Sequence, residues 1–225
     1  MGANLTDTVL PRPTPGRIVL DGRYCRLAPL HPDHAETLFA ASSGPENRPR
    51  FDYLLEPQPA SLPEVETWIG EAAASTERLW FGVIEKSGGR CEGRQALLNI
   101  NPVHGTMELG GIYWGPAIAR TRVATEAAFL HMQYAFDTLG YRRFEWKCNH
   151  SNEASKRAAL RFGFVFEGVF RQHMFLKGCN RDTAWYSIID KEWPSLRAAF
   201  EAWLTPENFD ATGRQHNALE TRRQA

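Results

Sequence analysis

The sequence carries little cysteine, no excess of charge and no long apolar run. Its four cysteines, Cys25, Cys91, Cys148 and Cys179, are scattered over 225 residues. None forms a C-x-x-C pair, and the chain is too long for a small disulfide scaffold. Reduced cysteines in a cytoplasmic protein are therefore expected. Lys and Arg number 26 and Asp and Glu number 26, so the formal net charge is zero. A balanced chain has no global field to draw it onto nucleic acid or anionic lipid, and neither partner is expected. No basic segment leads into an apolar run at the start, so no signal peptide is expected. Nothing approaches the roughly 18 consecutive apolar residues of a membrane span. No internal repeat and no Gly/Ser linker divides the middle of the chain.

What is present suits one filled domain. Hydrophobic residues make up 43% and aromatic residues 12%, which argues for a well-packed core and against disorder. A domain of this length buries about 70% of its unfolded surface and needs no metal to fold. Residues 1–16 hold Pro11, Pro13 and Pro15 without apolar periodicity, and read as a tail or arm. Residues 205–225 are polar and read as a tail or weak terminal helix. Between them, 17–204 form a single domain.

Arg17–Leu20 and Tyr24–Leu27 predict a hairpin broken at Asp21-Gly22. A helix follows over His34–Ala41, opened by Pro32 and Asp33. The proline-rich stretch from Gly44 to Ala60 predicts a long loop around Phe51–Leu54, a length usually reserved for function. Ser61, with Glu64 three residues on, predicts a capping box for a helix over Pro63–Ala73. Strands are expected over Leu79–Glu85, Glu92–Asn101 and Met107–Tyr113. Phe129, Met132, Phe136 and Leu139, at helical spacing, predict a helix over Arg122–Leu139, closed by Gly140. Strand alternation recurs in Arg143–Cys148 and in Phe164–Phe170, where Phe164, Phe166 and Phe170 are expected on one side. A short helix, Asn152–Phe162, lies between them. After a turn at Lys177–Asn180, Thr183–Ile189 returns as a strand, and Trp193 opens a last helix to Leu204. The order predicts an α/β (α+β) fold, a mixed sheet with helices on both faces.

One junction has the layout of an anion site. The strand ending at Ile112, Tyr113 and Trp114 passes through Ala119, Arg120, Thr121, Arg122, Val123, Ala124 and Thr125 into the long helix. The first N–H groups of a helix have no internal partner and, with the dipole, bind phosphate. Arg120 and Arg122 add charge or stand in solvent. Other candidates carry less. His31 and His34 lie three apart, but no cysteine or carboxylate completes a ligand set, so no metal is expected. His131 sits within a helical pattern and reads as a partly buried or surface residue. Cys148 alternates with Phe144 and Trp146 and reads as a buried, inert thiol. Asp182 follows Arg181 in a turn, where anchoring is the simpler role.

A further set of residues keeps a fixed order and spacing: Ala124-Thr125-Glu126-Ala127, Tyr134-Ala135-Phe136, Asn152-x-x-Ser155, Gly163-Phe164, Glu167-Gly168, Arg171, Asp182 and Glu192-Trp193. On these residues the chain, from about Arg17 to Leu204, resembles the GNAT superfamily of acyl-CoA-dependent N-acyltransferases, in its RimJ/RimL-like branch. The GNAT fold implies a mixed, mostly antiparallel central sheet. It also implies acetyl-CoA, or another short acyl-CoA such as succinyl-CoA, as co-substrate. In the family the pyrophosphate sits on backbone amides of the loop opening the central helix, here Ala119 to Ala124. The family pattern there is Gln or Arg, two variable residues, Gly, one variable residue, then Gly or Ala. This chain departs from it, with Ala119, Arg122 and Ala124 at those positions. Shifting the register by one puts Arg120 first and leaves Val123 at the glycine position.

Acyl transfer to an amine needs a base, a stabilised oxyanion and a proton for the thiolate. Glu108, on the strand that lines the cofactor groove in the family, is the expected base; its alternative is an exposed strand carboxylate. Gly110-Gly111 permits a bulge that frees a backbone N–H for the thioester oxygen around Ile112–Trp114. Many family members protonate the thiolate with a tyrosine, but Ala159 stands where it would fall. The branch offers Ser155 instead, whose alternative role is capping. Asn152 resembles the residue that bonds the pantetheine arm, and it too suits an N-cap. The branch resemblance implies as acceptor a protein or peptide N-terminus, or a small amine or amino-acid-like metabolite, lined by Phe51–Leu54 and Arg171–Asp182. A homodimer is admitted, and a non-catalytic acyl-CoA-binding module is the alternative function.

Overall fold

The computed structural model describes residues 9–221; the expected arm at 1–16 lies partly outside them. The first two strands, β1 (Leu20–Asp21) and β2 (Cys25–Pro29), make the expected hairpin with Leu20 opposite Leu27. Gly22 is required at its turn: a Cβ there would stand 2.5 Å from the Glu126 carboxylate. That carboxylate accepts the backbone N–H groups of Arg23, Tyr24 and Cys25 at 2.6–2.8 Å. Helix α1 (Ala35–Ser42) follows, and a 3₁₀ turn over Pro45–Phe51 breaks the long loop. Helix α2 (Leu62–Ala74) starts without the expected serine cap. Ser61 makes no side-chain bond, and Glu64 instead reaches back to the Ala60 N–H at 2.9 Å.

Three long antiparallel strands come next: β3 (Leu79–Glu85), β4 (Arg90–Asn101) and β5 (Thr106–Trp114). Helix α3 (Arg122–Gln133) continues through a π turn to Thr138, and Gly140 takes φ +66°. Then come β6 (Arg143–Asn149), α4 (Glu153–Arg161), β7 (Val165–Leu176), β8 (Cys179–Ile189) and α5 (Trp193–Trp203). The eight strands form one sheet in the order β1-β2-β3-β4-β5-β6-β8-β7. Every pairing is antiparallel except β5 with β6. This is the mixed, mostly antiparallel sheet expected.

Both faces of the sheet are covered. Leu38, Val65, Ile69, Trp80, Ala96 and Tyr113 join α1 and α2 to one face. Phe81, Leu97, Met107, Leu109, Ala127, Phe144 and Phe200 join α3 and α5 to the other. On β6 the predicted alternation holds: Phe144, Trp146 and Cys148 are buried while Arg143, Glu145, Lys147 and Asn149 are half-buried.

The β7–β8 hairpin is longer than the sequence suggests. Cys179, expected in a turn, opens β8 opposite Leu176. Lys177 and Gly178, both at positive φ (51° and 76°), make the tight two-residue turn. Register shifts between Phe166 and Gly168, so Phe166 packs on Tyr186 and Phe170 on Trp185, on opposite faces of β8. The predicted common side for Phe166 and Phe170 is thus lost to a bulge. The segment after α5, expected as a tail, folds back. Trp203 Nε1 donates to the Asn217 carbonyl at 3.0 Å, Phe209 bridges to Gln215, and Leu219 is buried.

Candidate active site

β5 and β6 begin as neighbours and then part. They pair only over Thr106–Glu108 with Arg143–Glu145. Beyond that, β5 stays on β4 as far as Trp114 and β6 stays on β8 as far as Asn149. A register shift in β5 between Gly110 and Tyr113 is the expected bulge. Gly111 sits in it at φ +59°, and a Cβ there would meet the Trp80 ring at 2.4 Å. No other residue fits that backbone and that space. Across the gap Trp114 and Trp146 each meet Phe162 edge to face and lie tilted against each other, with ring centroids 6.0–6.5 Å apart.

The parted strands open a cleft of about 1610 Å³. It gathers the candidate residues from distant parts of the chain: Glu108, Ile112, Tyr113, Trp114, Ala119, Arg120, Thr121, Arg122, Ala124, Thr125, Asn152 and Ser155 all line it. Val123 does not; it is buried, and its N–H donates to Thr121 Oγ1 at 3.1 Å.

Two helix starts face this cleft. At α3, Thr121 is the N-cap, and its carbonyl also takes the Thr125 N–H. The N–H groups of Arg122 and Ala124 keep no partner among the described residues. The positive φ in this loop falls on Arg120 (65°) and not on Arg122, which is the first helical residue. The missing glycine at position 122 therefore costs the backbone nothing. The Arg122 guanidinium is not loose in solvent: it lies 4.4 Å from the Tyr24 ring and 5.1 Å from that of Phe209.

At α4 the N-cap is Asn152, whose Oδ1 accepts the Ser155 N–H at 3.0 Å. Ser155 is not the cap. Its Oγ accepts the Trp146 indole N–H at 2.9 Å, which leaves the hydroxyl proton free to be donated. Burial pushes the adjacent Cys148 thiol up, while the Ser155 hydroxyl acts on it in the opposite direction. A buried thiol held in its neutral form is a poor nucleophile.

Glu108 stands where the strands part and is almost fully buried. Its Oε2 takes both the Asn99 amide at 2.6 Å and the Lys147 ammonium at 2.8 Å. Lys147 also bridges to Glu145 at 2.8 Å and lies 3.9 Å from the Trp185 ring. Glu108 Oε1 has no hydrogen-bond partner among the described residues and faces Gly110, where a Cβ would come within 3.3 Å of it. Glu108 is therefore no exposed strand carboxylate but a fixed one with one oxygen open.

The Tyr113 hydroxyl is already engaged. It donates to the Ala41 carbonyl at 2.7 Å, the ring stacks on Phe51, and burial pushes the pKa up to about 12. The loop carrying Phe51 is tied across the cleft: Lys177 Nζ donates to the Phe51 carbonyl at 2.8 Å, and Tyr53 Oη donates to the Ser151 carbonyl at 3.2 Å. Sequence reasoning missed Lys147, Asn99 and the buried Arg94. The Arg94 guanidinium lies between Trp68 and Trp80 and pairs with Glu56 of the same loop. His31 and His34 cap the turn before α1. Glu126 ties α3 to the β1–β2 turn. Asp182 anchors the β7 bulge by accepting the Gln172 N–H at 2.7 Å.

Comparison with known proteins points in one direction. The acetyltransferase (GNAT) domain model matches residues 25–165. A crystal structure of a GCN5-related N-acetyltransferase from Brucella melitensis superposes with a TM-score of 0.92 at 53% identity, over 95% of this chain and 97% of that one. The Bacillus subtilis (strain 168) protein named uncharacterized N-acetyltransferase YoaA is 40% identical over 70 residues, 31% of this chain and 40% of YoaA. The candidate ribosomal N-acetyltransferase YdaF of the same strain is 30% identical over 102 residues, 45% of this chain and 55% of YdaF. The chain spans about half the length of these two curated relatives. Among the described residues, no helix is long and apolar enough to cross a membrane.

Proposed function

The chain belongs to the acetyltransferase (GNAT) family, and on that premise we propose that it is an acyl-CoA-dependent N-acyltransferase, moving acetyl from acetyl-CoA to a primary amine by direct attack. The observation that carries this reading is the parting of β5 from β6 between two helix starts. One start offers backbone N–H groups without a partner among the described residues, and the other a hydroxyl donor.

Acetyl-CoA supplies a thioester already activated toward nitrogen, so no acyl-enzyme is needed. The residues present fit it. The unpartnered N–H groups of Arg122 and Ala124 would hold the diphosphate, with the Arg122 guanidinium adding charge nearby. The edge of β5 left free by β6, together with Asn152, would bond the pantetheine arm. Backbone N–H groups of Ile112–Trp114 beside the bulge would serve the thioester oxygen.

Glu108 Oε1 takes the proton of the attacking amine, directly or through one water, while Asn99 and Lys147 hold Oε2. As the C–N bond forms and the C–S bond breaks, the Ser155 hydroxyl gives its proton to the departing sulfur. It regains one from solvent, and Trp146 keeps Oγ in place throughout. The acceptor is a small amine or a peptide or protein N-terminus, entering from the Phe51–Leu54 side.

The test is thiol release from acetyl-CoA over a broad panel of primary amines. Amine-dependent release, reduced about 10²-fold or more in Glu108→Gln, is expected for removal of a general base. Acetyl-CoA binding with no release on any amine would overturn the proposal.

A further inference from the structure

Among the described residues, Arg181 is a cation without a counter-ion. It stands on β8 at the wall of the cleft, half-buried. Its Nε is buried with no hydrogen-bond partner, and its guanidinium makes no ion pair among the described residues. The nearby carboxylates are engaged elsewhere. Asp182 accepts the Gln172 N–H and the Asn180 amide. Glu145 is held by Arg143 and Lys147. Glu108 gives Oε2 to Asn99 and Lys147. Burial lowers the pKa of Arg181, and Glu108 acts in the opposite direction. Arg181 and Glu108 line the same cleft, and Lys147, which holds Glu108, pairs with Trp185 only four residues along β8 from Arg181.

A guanidinium with unused donors fits a carboxylate, which it grips by two parallel N–H···O bonds. Glu108 Oε1, open in the same cleft, fits an ammonium. An unused cation and an unused anionic oxygen in one cleft complement a zwitterion. Resting on the acyl-transfer reading above, we infer that the acceptor amine carries its own carboxylate a few bonds from the nitrogen, as an amino acid does, with its ammonium at Glu108 and its carboxylate on Arg181. A peptide N-terminus presents a neutral peptide bond at that distance and leaves Arg181 unpaired.

The experiment compares free amino acids with their primary amides as acceptors, on the full-length protein with acetyl-CoA. The amides hold a less basic nitrogen, more of it unprotonated at neutral pH, so intrinsic reactivity favours them. A preference for the acids must therefore come from the site. The expected preference in kcat/KM is on the order of 10- to 100-fold, the worth of a charge-assisted pair. Arg181→Gln should bring that ratio close to one, whereas Arg78→Gln, elsewhere on the cleft wall, should leave it in place. Binding is read separately. A millimolar amino acid should raise the melting temperature of the natural protein and not that of Arg181→Gln. Equal turnover of acids and amides, or an equal loss on both in Arg181→Gln, overturns the inference and leaves the transferase reading standing. A ratio that collapses in Arg78→Gln instead overturns the assignment to Arg181. Amino-acid binding without thiol release from any amine overturns the transferase reading alone, and the absence of both overturns the two together.

Discussion

Helices α3 and α4 both begin at the cleft, and they are built in opposite ways. Ten of the residues of α3 are buried, from Val123 to Met132, whereas α4 buries Ala159 alone. The first turn of α3 leaves the N–H groups of Arg122 and Ala124 open, and its side chains serve packing or lie on aromatic rings. The first turn of α4 has its N–H at Ser155 closed by Asn152, and it offers a hydroxyl instead. A helix locked in the core can hold backbone donors at a fixed place, which suits a phosphate. A peripheral helix contributes through a side chain positioned from outside, here by the Trp146 indole.

The largest effect that sharpens this contrast comes from acid. His131 lies in the last turn of α3, fully buried where its sequence pattern suggests a partly buried or surface position, with Gln95 Nε2 2.8 Å from its Nδ1. Burial pushes its pKa down to about 3, well below the usual histidine value. The unfolded chain thus binds a proton that the folded chain refuses. This contribution is whole above pH 6.5 and is lost as pH falls toward 3, at about 1.4 kcal/mol per unit. Denaturant unfolding of the natural protein and His131→Gln at pH 7, 5 and 4 should show a steeper loss in the natural protein. Parallel slopes would mean that α3 opens to water more easily than its burial implies.

Next is Ser155→Ala. Turnover should fall about 10²-fold, the low end for general acid catalysis, because water can also protonate a thiolate. Stability should fall by about 1 kcal/mol as the Trp146 N–H loses its acceptor. Acetyl-CoA affinity should hold. Full turnover in the folded fraction would reduce Ser155 to a prop for Trp146. Asn152→Ala should do less to chemistry: about 1 kcal/mol of stability from the lost cap, read as a lower melting temperature with kcat within a few-fold of the natural enzyme. A kcat loss matching that of Ser155→Ala would show that the cap aims the hydroxyl.

Much of the fold was legible because apolar alternation and helix spacing are local. Phe144, Trp146 and Cys148 share a buried face, and Asn152 caps α4, as their sequence neighbours imply. The ends of β7 and β8 were not legible, because Arg171–His173 and Asn180–Asp182 carry no apolar alternation and are held by a hairpin turn. The segment after α5 looked like a tail because single residues, Phe209 and Leu219, do its packing. At the site, sequence order brought out the two helix starts and Glu108. It could not bring out Lys147 at Glu108 or the unpaired Arg181, since both depend on which strands become neighbours. Nor could it show that Tyr113 turns its hydroxyl to Ala41, which a one-residue bulge decides.

The central claim is that backbone N–H groups at the start of α3 hold the diphosphate, and position 122 tests it. Arg122 is the first helical residue, where proline is favoured and no helix bond is lost. Thr121 before it is already extended, at φ −105° and ψ 176°, as a residue before proline must be. Arg122→Ala removes the guanidinium and keeps the N–H; Arg122→Pro removes both. Acetyl-CoA binding measured by calorimetry on the two variants should be weaker in Arg122→Pro by about tenfold or more, at similar melting temperatures. Equal affinities would contradict the account, because the N–H would then hold nothing.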